Sequence, residues 1–184
     1  MRWQNSSSTY GLISISIHWL VALTVIALFV VGVWMVDLGY YDTWYHKAPF
    51  LHKSAGVLLL AAMVFRVIWR LTTVQPKAIN TQSKLVQLAA KAGHLLMYFL
   101  LFAIMVAGYL ISTADGEPID VFGWFSVPAL ISGLPDQADM AGLVHKYLAW
   151  GLMAVVVGHT LAALKHHFFD KDATLVRMFG KAER

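Results

Sequence analysis

The sequence contains no cysteine. That excludes iron–sulfur clusters, thiolate-ligated haem and structural disulfides. Charge is also scarce: 13% of residues are Asp, Glu, Lys or Arg, against about a quarter in a soluble domain. In its place the 184 residues are 59% hydrophobic, with mean hydropathy +0.64. The chain therefore reads as a membrane protein with little mass outside the bilayer. The five prolines, Pro49, Pro76, Pro118, Pro128 and Pro135, fall between or at the edges of the apolar runs. The segment from Arg66 to Lys91 has no acid, and the segment 113–141 has no Lys or Arg. Because charges segregate in this way, the net charge of +4 is no nucleic-acid signal. No small-residue cleavage site follows the first apolar run, so that run is expected to be a retained helix and not a signal peptide.

Four runs are long enough to cross a bilayer as helices: about 13–36, 51–69, 88–112 (with apolar residues from about 85) and 142–164. The predicted fold class is all-α, a four-transmembrane-helix bundle running up-down-up-down within a single domain, 1–184. The tail 165–184 is expected to lie on the membrane surface as a short amphipathic helix. Arg66, Arg70, Lys77, Lys84 and Lys91 mark the second connection as cytoplasmic by the positive-inside rule, which puts both termini there too. The first and third connections then face outward. The third carries an aromatic knot, Phe122-Gly123-Trp124-Phe125, suited to the membrane interface.

Histidine is what this chain has in unusual supply: eight residues, beside 14 Lys and Arg together. His145 and His159 lie 14 residues apart in one apolar run. On an α-helix that is about 21 Å along the axis and about 40° of rotation, so both project from nearly one face. Ionisable groups at membrane depth point to function. His18 sits at the inner level with His159, and His52 at the outer level with His145. Two facing helices with one imidazole each can ligate a flat macrocycle from both sides. Two such pairs imply two stacked haems, with no open iron position, which suits electron transfer.

Gly32 and Gly108 lie 14 residues from His18 and His94, where a missing side chain would make room for the outer ring. Arg66 lies 14 residues from His52 and is a candidate partner for an inner haem propionate; Lys53 and Lys146 follow the outer histidines and are candidates for the outer one. His94 and His166 are candidate quinone contacts, since imidazole titrates near neutrality. His46 reads as a solvated loop residue.

The motifs Ile17-His18-Trp19, Leu51-His52-Lys53-Ser54-Ala55-Gly56 and Gly93-His94-Leu95-Leu96-Met97-Tyr98, the His145/His159 pair, and the tail from Leu164 to Leu175 resemble the bacterial cytochrome b561 family. That family is related to the di-haem b subunits of formate dehydrogenase and nickel–iron hydrogenase. The resemblance implies two b haems, with His18 and His159 holding the inner one and His52 and His145 the outer one. It also implies electron exchange with membrane quinone, residence in the bacterial inner membrane and, in some relatives, a periplasmic lipid-binding partner.

The expected function is electron transfer across the membrane between quinone and a periplasmic carrier. Some family members oxidise superoxide at the outer face. The outer acids here, Asp37, Asp42, Asp115, Glu117, Asp120, Asp136 and Asp139, outnumber Lys47, Lys53 and Lys146. Such a surface repels an anion and attracts a basic carrier. Superoxide:ubiquinone oxidoreductase, the anchor subunit of a larger dehydrogenase, and a metal transporter are the alternatives.

Overall fold

The computed structural model describes residues 2–79 and 82–180. It is all-α apart from one small hairpin, with four helices long and apolar enough to span a membrane: α1, Leu12–Met35; α2, Lys47–Thr72; α3, Lys84–Ser112; and α4, Gln137–Phe168. Between α3 and α4 lie β1, Ile119–Val121, and β2, Phe125–Val127; a short α5, Thr174–Arg177, follows α4.

Each helix follows from local chemistry. Leu12–Met35 contains no proline and no charge, so nothing interrupts its hydrogen-bond ladder. α2 begins at Lys47, ahead of the expected 51, because Pro49 falls in the first turn, where its missing N–H costs no helical bond. α4, at 32 residues, outlasts the expected 142–164. At 1.5 Å per residue it is about 48 Å long, against about 30 Å of hydrocarbon. Leu20, Leu23 and Val30 on α1, Leu95 and Phe99 on α3, and Tyr147, Trp150 and Leu161 on α4 are all exposed. Apolar surface on that scale is stable against lipid, not against water.

The chain divides into two compact units. The first comprises Met1–Leu20, Met63–Phe99 and Gly151–Arg184, and the second Val21–Ala62 and Leu100–Trp150. α1 and α3 begin in the first unit and end in the second; α2 and α4 run the other way. The four long helices fit the expected all-α, four-helix fold class.

In the first unit, the N-terminal segment straps the start of α1. Asn5 Oδ1 accepts from Gly11 N at 2.8 Å and from Ser14 Oγ at 2.7 Å. Gly11 is required here: a Cβ would overlap the backbone of Trp3 and Gln4. The tail also folds onto this unit. Trp19 Nε1 donates to Met178 O at 2.9 Å, Phe179 stacks on Trp19, and Arg177 Nη1 donates to Lys77 O at 2.9 Å. The surface helix expected for the tail is thus reduced to the single turn of α5, because Lys171, at φ 53°, turns the chain back after α4. Residues 181–184, with three of the tail's charges, lie outside the described residues.

The second unit carries the hairpin, in which Val121 pairs with Phe125. Phe122 and Gly123 both have positive φ, and Trp124 N donates to Val121 O at 2.9 Å, as a type I′ turn requires. Ser54, fully buried on α2, donates Oγ to Asp120 O at 3.2 Å and accepts from Phe122 N at 3.2 Å. The connection is also stitched to α3: buried Gln137 donates to Leu110 O at 2.9 Å, and Tyr109 Oη accepts from Leu130 N at 2.6 Å.

Candidate functional site

Each unit contains one pair of facing imidazoles. In the second unit the His52 and His145 rings are 6.2 Å apart between centres, with planes at 68°. In the first, His18 and His159 are 6.4 Å apart, with planes at 61°. A nitrogen sits about 2 Å from a metal ion it ligates and its ring centre about 1 Å further, so two imidazoles across one ion stand about 6 Å apart. Both separations accommodate that arrangement.

The second pair sits against small residues and backbone. His145 Nδ1 donates to Ile104 O at 2.9 Å, which fixes the tautomer and leaves the Nε2 lone pair for a ligand. A Cβ on Gly32 would stand 3.2 Å from His52 Cε1, and one on Gly108 would stand 3.2 Å from His145 Cε1. The glycines therefore make room for the imidazoles themselves; the sequence had pointed to room for a macrocycle. His52 Nδ1 is buried and has no hydrogen-bond partner among the described residues. An uncompensated polar atom is costly, and a ligand on the ring offsets that cost. An apolar cavity of about 280 Å³ opens beside His52, edged by Leu28, Val31, Trp34 and Trp44.

The first pair has polar neighbours. Arg66 Nη2 lies 3.2 Å from His18 Nδ1, and Arg66 Nε donates to Tyr98 Oη at 2.9 Å. A guanidinium only donates, so His18 Nδ1 accepts and the ring proton sits on Nε2. Ligation through Nε2 therefore requires Arg66 to release Nδ1. His94 is 5.3 Å from His159, closer than two imidazoles on opposite sides of one ion would stand.

The remaining predicted residues are dispersed. Lys53 and Lys146 are exposed and make no ion pair among the described residues, and His46 is an exposed residue touching Tyr45. His166 belongs to a different group: its Nδ1 lies 2.8 Å from Asp170 Oδ2 and 3.0 Å from Asp172 Oδ2. Asp172 in turn accepts from Gln82 Nε2 at 2.8 Å and from Thr174 N at 2.8 Å. Burial alone would raise the Asp172 carboxyl, but the Thr174 and Gln82 hydrogen bonds, with the nearby His166, hold it below its usual range.

Sequence reasoning missed Tyr98, Ser54 and the two tail carboxylates. Of these, Asp170, four residues after His166, was the one with a readable helical spacing.

Comparison with known proteins converges on one family. The model of the prokaryotic cytochrome b561 family matches residues 9–181. "Cytochrome b561 homolog 2" of Escherichia coli K12 is 54% identical over 182 residues, covering 99% of this chain and 97% of the relative. "Probable superoxide oxidase CybB" of Yersinia pestis is 32% identical, covering 94% of this chain and 96% of the relative. "Cytochrome b561 homolog 1" of E. coli K12 is 24% identical over 71% of this chain. Membership of such a family implies haem b binding and transmembrane electron transfer by a multi-pass bacterial membrane protein. With four membrane-length helices and a match reaching almost from end to end, the chain belongs to the prokaryotic cytochrome b561 family.

Proposed function

We propose that this protein moves electrons across the bacterial inner membrane, between quinone and a redox partner at the periplasmic face. The observation that carries the reading is the pair of imidazole pairs, at 6.2 and 6.4 Å, in a cysteine-free membrane chain. In this reading His52 and His145 hold one haem b and His18 and His159 hold the other. Haems held by these residues would supply reversible one-electron chemistry.

The protein's own groups do the rest. The Ile104 carbonyl orients His145, and Gly32 and Gly108 let both imidazoles of that pair seat fully. Arg66 leaves His18 Nδ1 for a haem propionate, the kind of anion a guanidinium binds in bidentate fashion. The apolar helix faces exclude water. Of the two candidate quinone contacts, His94 stands beside the first pair without belonging to it, which makes it the better placed. His166 is engaged by carboxylates in the tail. Positive-inside charge supports a cytoplasmic location for the connection from Arg66 to Lys91 and for both ends of the chain. The acids at the opposite side suit a basic periplasmic electron carrier.

The test is direct. The purified protein should show a b-type reduced-minus-oxidised spectrum, two haems per chain by pyridine haemochrome, and haem reduction by a quinol. A colourless, zinc-loaded protein would sink the reading in favour of a transporter.

A second reading, superoxide oxidation with quinone as acceptor, has two supports. One is the name of the Yersinia relative. The other is the exposed Lys53 and Lys146, each directly after a histidine of the second pair. Superoxide-driven haem reduction, lost in a Lys53→Glu/Lys146→Glu variant, would select it. Co-purification with a soluble catalytic subunit would instead indicate an anchor role.

A further inference from the structure

The three-residue group in the tail lies outside both imidazole pairs. His166 Nδ1, Asp170 Oδ2 and Asp172 Oδ2 converge within 4.8 Å of one another. They are held there by unrelated contacts. His166 lies in the last turn of α4, and its carbonyl accepts from Asp172 N at 3.1 Å. Left-handed Lys171 turns the two carboxylates to one side. Gln82 and Thr174 fix the Asp172 carboxylate, whose side chain is only 6% exposed. A cavity of about 320 Å³, bounded also by Ser83 and Val86, gives solvent access to the group.

Two carboxylate oxygens lie within 3.0 Å of the His166 Nδ1, yet that buried nitrogen makes a directed hydrogen bond to neither among the described residues. Lys165 Nζ compensates Asp170 alone, at 2.7 Å from Oδ2, and its side chain is largely exposed. A divalent ion bound by all three atoms would replace the proton and displace the ammonium. One imidazole nitrogen and two carboxylate oxygens form a donor set for zinc, manganese or another first-row ion; magnesium favours oxygen alone.

We infer that His166, Asp170 and Asp172 form a surface site for a divalent transition-metal ion, separate from both imidazole pairs. The inference uses no residue of either imidazole pair and stands whether or not the haem reading holds. Lys165 acts in it as a built-in competitor: the site binds weakly while the ammonium holds Asp170, and more tightly once it is gone.

The test is a Zn²⁺ titration of the full, detergent-purified, haem-loaded protein against a chromophoric chelator. The expected result is one saturable equivalent per chain with an unchanged haem spectrum. Asp170→Asn and Asp172→Asn should each weaken binding by about tenfold or more, in the range seen when a metal site loses a supporting group. Lys165→Met should tighten it several-fold, which a purely structural role for these residues would not produce. Binding should weaken at acid pH, since protons compete for the ligands. No saturable binding, or binding unaltered in the Asp170→Asn/Asp172→Asn double variant, would overturn the inference. So would Lys165→Met failing to tighten it.

Discussion

The two units present one motif in two surroundings. Both bring a pair of imidazoles to about the separation of ligands across one ion. In the second unit the support is neutral: a backbone carbonyl on His145 and two glycines behind the rings. In the first it is charged: Arg66 lies on His18, Tyr98 holds Arg66, and a third imidazole, His94, stands alongside. A cation near one site stabilises its reduced state more than that of a neutral counterpart. If each pair holds a haem, the Arg66 charge gives the one in the first unit the higher potential of the two.

The comparison breaks most completely at the ligands. His145→Ala should halve the haem content and leave the first unit's spectrum; His159→Ala should do the reverse. If either variant retained both haems, the pairing would be wrong. Next in size is Gly108→Val, which drives a side chain into the His145 ring. It should remove most of the second haem, with pyridine haemochrome as the readout, while Gly93→Val, with nothing within 4 Å of its Cβ, should not.

Ser54→Ala deletes one donor and one acceptor beneath the hairpin. It should cost about 1–3 kcal/mol, seen as faster amide exchange at Phe122 and faster proteolysis of the 113–136 connection, with the first unit unaffected. Arg66→Met should lower the first haem's midpoint by tens of millivolts, about 1 kcal/mol at an effective dielectric of 20; spectroelectrochemistry would resolve it, and the second haem should not move.

The smallest effect is at the tail. Asp172 has a lowered folded-state pKa, so its contribution to tail docking is fully present above the ordinary value of 3.8 and is lost as pH falls through the lower folded value. Trp19 fluorescence, which reports Phe179 stacking, should therefore hold steady from pH 7 to about 4 and change only below that. A change centred near pH 6 would assign the docking to another group.

The four long helices were legible because each is a predominantly apolar run of membrane length, and the shared face of His145 and His159 was legible because 14 residues nearly complete whole helical turns. The hairpin was not. Its strands are three residues each, too short for alternation to register, and its turn places Phe122, a residue that rarely takes positive φ, beside Gly123. Ser54 read as one more polar residue near a helix start, since only the folded chain shows what lies above it. The convergence of the tail carboxylates on His166 was not legible, because it depends on the left-handed backbone at Lys171, which composition does not signal.

α4 carries one imidazole of each pair, and this makes the spacing between them a fixed gauge. Substitutions at most positions from 146 to 158 leave that gauge intact. Inserting or deleting a single residue turns one imidazole by about 100° relative to the other. One unit or the other must then forfeit its partner, so the interval should accept changes of side chain freely and changes of length not at all.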